Sequence, residues 1–239
     1  HPVTESRIAD TRNRAEQARV GGTEDSLRYQ LIRARVQLNY EETPGLAAKR
    51  FRQQLDENPK NDVARYGLAI AYIKGSQFNE ARDTLKPLLD KAPNDITYNL
   101  AQIELDMDSN RLAEAQQRID RMRTLYPGNY PLNQARVDLL LKQNKPKEAD
   151  TALEALLKSR PDDPDVWYSV AETRGLSGNI IGLHQARAEY FALVGDYRQA
   201  IQQLDFAQKL TNNFQLSSRL DARKRELMDQ ERALKDMMN

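Results

Sequence analysis

Two histidines, His1 and His184, and no cysteine stand among the 239 residues. Without a thiol there is no cysteine nucleophile, no disulfide and no thiolate-bound zinc or iron-sulfur site. Neither histidine lies in an HExxH helix, and no serine and aspartate are spaced about either one as an acyl-transfer triad requires. The stretch LSGNIIG at 176–182 has the glycines of a phosphate loop but neither its lysine nor a preceding strand pattern. The chain by itself is therefore read as non-catalytic. What does recur is carboxylate: Glu104, Asp138 and Glu172 follow one another at intervals of 34 residues.

The same interval governs the residues that must position them. Pro59, Pro93, Pro127 and Pro161 are each 34 apart, and Ala47, Ala81, Ala115 and Ala149 keep the same count. Between prolines the apolar residues recur at helical spacing. In RYGLAIAYIKGSQFNEARDTLKPLLDKAP, Tyr66, Leu68, Ala69 and Tyr72 belong to one helix, Gly75 and Phe78 turn the chain, and Ala81, Leu85 and Leu88 belong to the next. The alanines sit where paired helices cross closely, and a larger side chain there would overpack by about 1–3 kcal/mol. This pattern resembles the tetratricopeptide repeat (TPR), a helical hairpin closed by proline.

The expected fold is all-α, a TPR superhelical solenoid with flanking and inserted non-repeat helices. Residues 1–22 read as a lead-in helix ended by Gly21 and Gly22, and 23–163 as four hairpins, broken near 28–61, 62–95, 96–129 and 130–163. An unpaired helix is expected over 164–180, a further hairpin over 181–214, and a capping helix over 215–239 with Phe214, Leu216, Leu220, Leu227 and Leu234 on its apolar side. Trp167 takes the bulky position of a first helix and is read as structural. His184 opens a helix near the break in the repeat, and is read as closing an interhelix turn, with a pH-sensitive or metal-binding role as the alternative.

The TPR resemblance implies that the first helix of each hairpin lines a groove. Tyr29, Ile32, Tyr66, Ile70 and Ile73 would make its N-terminal end apolar and aromatic. Leu100, Glu104, Asp138, Tyr168, Glu172 and Glu189 would continue it, with the acids forming a stripe. Two readings of the stripe stay open: it holds polar or basic groups of a bound polypeptide, or it keeps a large helical face soluble. The lysine and asparagine clamp by which some TPR domains grip acidic chaperone tails is not matched, since those places carry Tyr66, Ile70, Leu100 and Glu104.

The 36 basic and 35 acidic residues nearly balance, so no field is available to concentrate nucleic acid, and no nucleic-acid partner is expected. No apolar run is long enough for a transmembrane segment, and no signal-peptide pattern opens the chain, so an export signal is expected outside it.

The opening HPVTESRI, with His1, Pro2, Arg7 and Ile8, resembles the end of the catalytic domain in zinc metallopeptidases of the HExxH class. Followed by the hairpins and by PDVWYSVAETRGLSGNIIGLHQARAEYFALVGDYRQAIQQLDFA, it resembles the C-terminal half of the barrel assembly-enhancing proteases of Gram-negative bacteria. That resemblance implies a periplasmic location and a protease half upstream that holds zinc, with no cofactor in the present segment. It implies that His1 stands near that zinc. It also implies, as partners, the barrel-assembly machinery, outer-membrane β-barrel precursors such as the lipopolysaccharide-transport barrel, and the chain's own protease domain. The alternative is a lid or scaffold that packs on the protease half without touching substrate.

Overall fold

The computed structural model describes residues 25–238, so His1 and the lead-in segment 1–22 lie outside the described residues. Those described form twelve α-helices and one short 3-10 turn, with no strand among them. In order they are α1 (Leu27–Gln37), the 3-10 turn Leu38–Tyr40, α2 (Pro44–Glu57), α3 (Asp62–Lys74), α4 (Phe78–Lys91), α5 (Ile96–Asp108) and α6 (Leu112–Leu125). There follow α7 (Tyr130–Lys142), α8 (Pro146–Ser159), α9 (Pro164–Leu176), α10 (Ile180–Leu193), α11 (Tyr197–Lys209) and α12 (Phe214–Met238).

The 34-residue count is written into both kinds of helix end. First helices start at Asn61, Asp95, Asn129 and Asp163, whose side-chain oxygens accept the backbone N–H of Ala64, Tyr98, Leu132 and Asp165 at 3.0, 3.0, 3.2 and 3.1 Å. Each cap satisfies a donor that the helix leaves unpaired. First helices end in a left-handed residue: Ser76, Asn110, Asn144 and Gly178 have φ of 57, 60, 57 and 77°. The next N–H in each case reaches back to a carbonyl five residues upstream, as Gln77 does to Tyr72 at 2.9 Å and Lys145 to Leu140 at 2.9 Å. This closes the helix and reverses the chain.

Packing follows from those ends. Ala47, Ala81, Ala115 and Ala149 are wholly buried, where the sequence pattern requires close crossing. Larger apolar residues fill the space between hairpins, among them Leu85, Ile103, Ile119, Leu139 and Leu153, none more than 1% exposed. Gly67 shows how tight the fit is, since a Cβ there would lie 2.5 Å from the Phe51 ring.

The segment over 164–180 differs from the unpaired helix expected there. It forms α9, which packs on both α8 and α10. The reason is the turn at Gly178: Asn179 donates to the Arg174 carbonyl at 2.9 Å, so α10 folds back as any second helix would. A further turn of the same type follows at Gly195, with φ of 82° and Asp196 donating to Phe191 at 2.8 Å. Helix α10 is thus shared between α9 and α11. Helix α12 covers α11 through Leu220 and Leu227, which are 2% and 0% exposed, while Phe214 at its start is 83% exposed rather than packed.

Candidate protein-binding face

The repeat register sets the first helices side by side, and the residues expected to line them fall into three groups. Tyr66, Ile70 and Ile73 are 1%, 0% and 3% exposed, so they cannot be groove anchors. The hairpin packing draws all three into the core, with the Tyr66 ring centroid 6.1 Å from that of Tyr98. Leu100 is half-buried against the core around Ile103 and Ile119. Tyr29 and Ile32, on α1, are exposed.

Glu104 and Asp138 are half-buried and engaged. An arginine that sequence reasoning missed holds the first: Arg35 on α1 donates to the Glu104 carboxylate and, at 3.4 Å, to the Tyr66 hydroxyl. Burial alone would lower the pKa of this guanidinium, but Tyr66 and Glu104 beside it raise it overall. Asp138 accepts from Gln134 at 3.1 Å, and burial pushes its carboxyl pKa up against the opposing pull of that bond and of Lys142. Lys142 itself bonds Asp108 of the preceding repeat at 3.1 Å. The stripe is therefore partly a set of ties between repeats. Glu172 alone of the three acids is exposed.

Around Glu172 the face opens into a cleft of about 210 Å³, walled by α9, α10 and α11. Tyr168 stands at its edge, 52% exposed, with its ring edge-on to Tyr190 at 5.7 Å; Tyr190 in turn meets Phe191 at 5.3 Å. Arg187 and Gln203 complete it. An aromatic wall with one acid and one base at the rim can take an apolar side chain of a polypeptide and orient its polar flanks. Gln203 escaped the sequence reading because it lies on a second helix, which the repeat pattern assigns to packing; Tyr190 escaped it because it lies one residue beyond Glu189, off the register read as groove-lining. Glu189 is turned away toward α12, where Arg223 holds both its oxygens at 2.9 and 2.7 Å.

His184 bonds Gln203 at 2.8 Å and lies 5.4 Å from the Phe206 ring, the arrangement of a histidine that joins helices. Trp167 donates its indole N–H to the Pro161 carbonyl at 2.7 Å, tying α9 to the turn before it. Among the described residues no three His, Asp or Glu side chains are gathered as a metal ligand set, and His1, which the resemblance places near zinc, lies outside them. Among them, too, no helix is long and apolar enough to cross a membrane.

The sequence profile of the tetratricopeptide repeat matches residues 40–103 and 106–172. The chain is 32% identical over 99% of its length to the beta-barrel assembly-enhancing protease of Escherichia coli K12, of which it covers 48%. To the putative beta-barrel assembly-enhancing protease of Vibrio cholerae it is 30% identical over 96% of its length, again covering 48%. The chain thus spans about half the length of the curated relatives it matches. Among solved structures, PilW, a type IV pilus biogenesis factor, superposes with a TM-score of 0.58 over 88% of this chain and 97% of that one, at 19% identity. That likeness bears on the fold alone.

Proposed function

The chain belongs to the tetratricopeptide repeat family, and from that premise we propose that it is the partner-recognising half of a periplasmic zinc metalloprotease. In this reading the whole protein promotes assembly of outer-membrane β-barrel proteins and degrades those that stall. The present segment binds barrel precursors, such as the lipopolysaccharide-transport barrel, and the assembly machinery, while the upstream half holds zinc and cuts. Tethering a precursor near that half raises its local concentration. The reading is supported by similarity over nearly the full segment to proteases named for barrel assembly. The single observation that carries the binding role is the exposed Tyr168 set edge-on to Tyr190 beside Glu172, because nothing in the hairpin packing needs a tyrosine there.

The test is binding of an unfolded barrel precursor to the full-length protein, followed by interferometry. Tyr168→Ala weakens it about tenfold, the effect of losing one aromatic anchor, with the thermal midpoint unchanged. Unaltered affinity would count against the cleft. A second reading, a lid packed on the protease half, is favoured by one feature: Tyr29, Ile32 and Val36 form an exposed apolar row along α1, 53%, 49% and 48% accessible. Loss of association between the two halves on Ile32→Asp would support it.

A further inference from the structure

The cleft between the second helices α4 and α6, floored by α5, is built unlike the neighbouring repeat interfaces. Asp106 stands on its floor, 2% exposed, where the repeats on either side place Tyr72 and Leu140 in the same register. Gln102, one turn earlier and 6% exposed, donates to Asp106 at 2.9 Å and stands where the preceding repeat has Leu68 and the following one the half-buried Arg136. Arg118 on the wall replaces Thr84 and Ala152. One interface has thus exchanged apolar stacking for buried polar groups, a cost that stacking does not require.

Those polar groups hold cations side by side. Asn99, wholly buried, accepts from Arg118 at 3.0 Å and from Arg121 at 2.9 Å on one amide oxygen, while its nitrogen donates to the carbonyls of Pro93 and Asp95. Arg82 faces them from α4, its one side-chain bond among the described residues a 3.4 Å contact with Asn79. The Nε atoms of Arg82 and Arg118 are buried with no hydrogen-bond partner among the described residues. Two cations of the cleft already have carboxylate partners, Arg111 with Glu114 at 2.8 Å and Lys86 with Asp90, whereas Arg118 stands 3.9 Å from Asp106, and burial disfavours both of these last two charges, lowering the pKa of the first and raising that of the second. Five cations line the cleft, counting Lys86 and Arg111, against the three carboxylates of Asp90, Asp106 and Glu114.

We propose that this cleft binds an acidic peptide segment, its carboxylates held by Arg82, Arg118 and Arg121. The space, about 540 Å³, exceeds what one carboxylate fills, and Leu89 and Pro93 give it an apolar strip against which a peptide backbone can lie. Guanidinium forks suit carboxylates, and buried donors without partners gain most from them. The cleft shares no residue with the aromatic one around Tyr168, so two partners, or two parts of one, can be held at once.

The probe is a fluorescein-labelled hexaglutamate peptide, titrated by anisotropy against the full chain. The expected result is saturable binding, weakened about tenfold or more in Arg82→Gln/Arg121→Gln and tightened about threefold in Asp106→Asn, which frees the arginines of a competing carboxylate while keeping an acceptor for Gln102. A control with the same charge change elsewhere, Lys147→Gln/Lys158→Gln on α8, binds as the parent does. Thermal melts of each variant separate lost binding from lost folding. Equal weakening by the control and cleft variants would overturn the proposal, as would Asp106→Asn binding no better than the parent. Binding of inorganic phosphate with the same arginine dependence, in the absence of peptide binding, would overturn it in favour of a small-anion pocket.

Discussion

Arg35 stands in a column that is otherwise apolar. The residues at its register in later repeats are Ala69, Ile103, Val137 and Ala171, all buried. Its charge is tolerated because the Tyr66 hydroxyl and the Glu104 carboxylate meet it, so one side chain fastens α1 to α3 and α5. Arg35→Met removes those bonds and leaves Glu104 unpaired; with both partners partly exposed the cost is about 1 kcal/mol. It should appear as faster amide exchange in α1 with little change in α7 to α12, since repeats open locally. Asp106 gives a prediction of opposite sign. Burial raises its pKa, so the folded chain binds this proton more tightly than the unfolded chain, and its contribution to stability falls as pH rises from the ordinary carboxylate value, about 4, through the raised one. Asp106→Asn therefore melts higher than the parent at pH 7, and the gap closes as pH is lowered through that window. A gap that widens on acidification would show the carboxylate to be net stabilised by Arg118.

At the scale of elements, the hairpin turns use one conformation with different residues. Ser76, Asn110, Asn144 and Gly178 are all left-handed, a conformation that costs a residue with a side chain roughly 1 kcal/mol. Ser76→Gly should gain about 0.5–1 kcal/mol and Gly178→Ala lose about 1 kcal/mol, read from denaturant midpoints. Much of this level was legible in the sequence, because prolines, caps and small crossing residues repeat with chemistry that dictates helix ends. The sharing of α10 was not. Gly178 keeps the 34-residue count and Gly195 breaks it, and a reading that follows period alone must assign the helix between them to one neighbour. Local turn geometry permits both.

For the molecule as a whole, the repeat register told which residues share the first-helix face but not which of them stay accessible. Tyr66, Ile70 and Ile73 satisfy the groove register and yet are buried, because accessibility depends on how far neighbouring hairpins close over them. Tyr168 and Glu172 satisfy it and are open, at the aromatic cleft that α9, α10 and α11 line. We propose that barrel precursors are recognised toward the C-terminal hairpins, while Arg35 ties α1 to α3 and α5 at the other end. Site-specific photocrosslinking in the full-length protein tests this most directly, with probes at Tyr168 and Glu172 and an exposed control at Lys147. The account predicts capture of outer-membrane barrel precursors or assembly subunits from the two cleft positions and not from the control. Capture of nothing but the protease half proposed to lie upstream, or equal capture from Lys147, would contradict it.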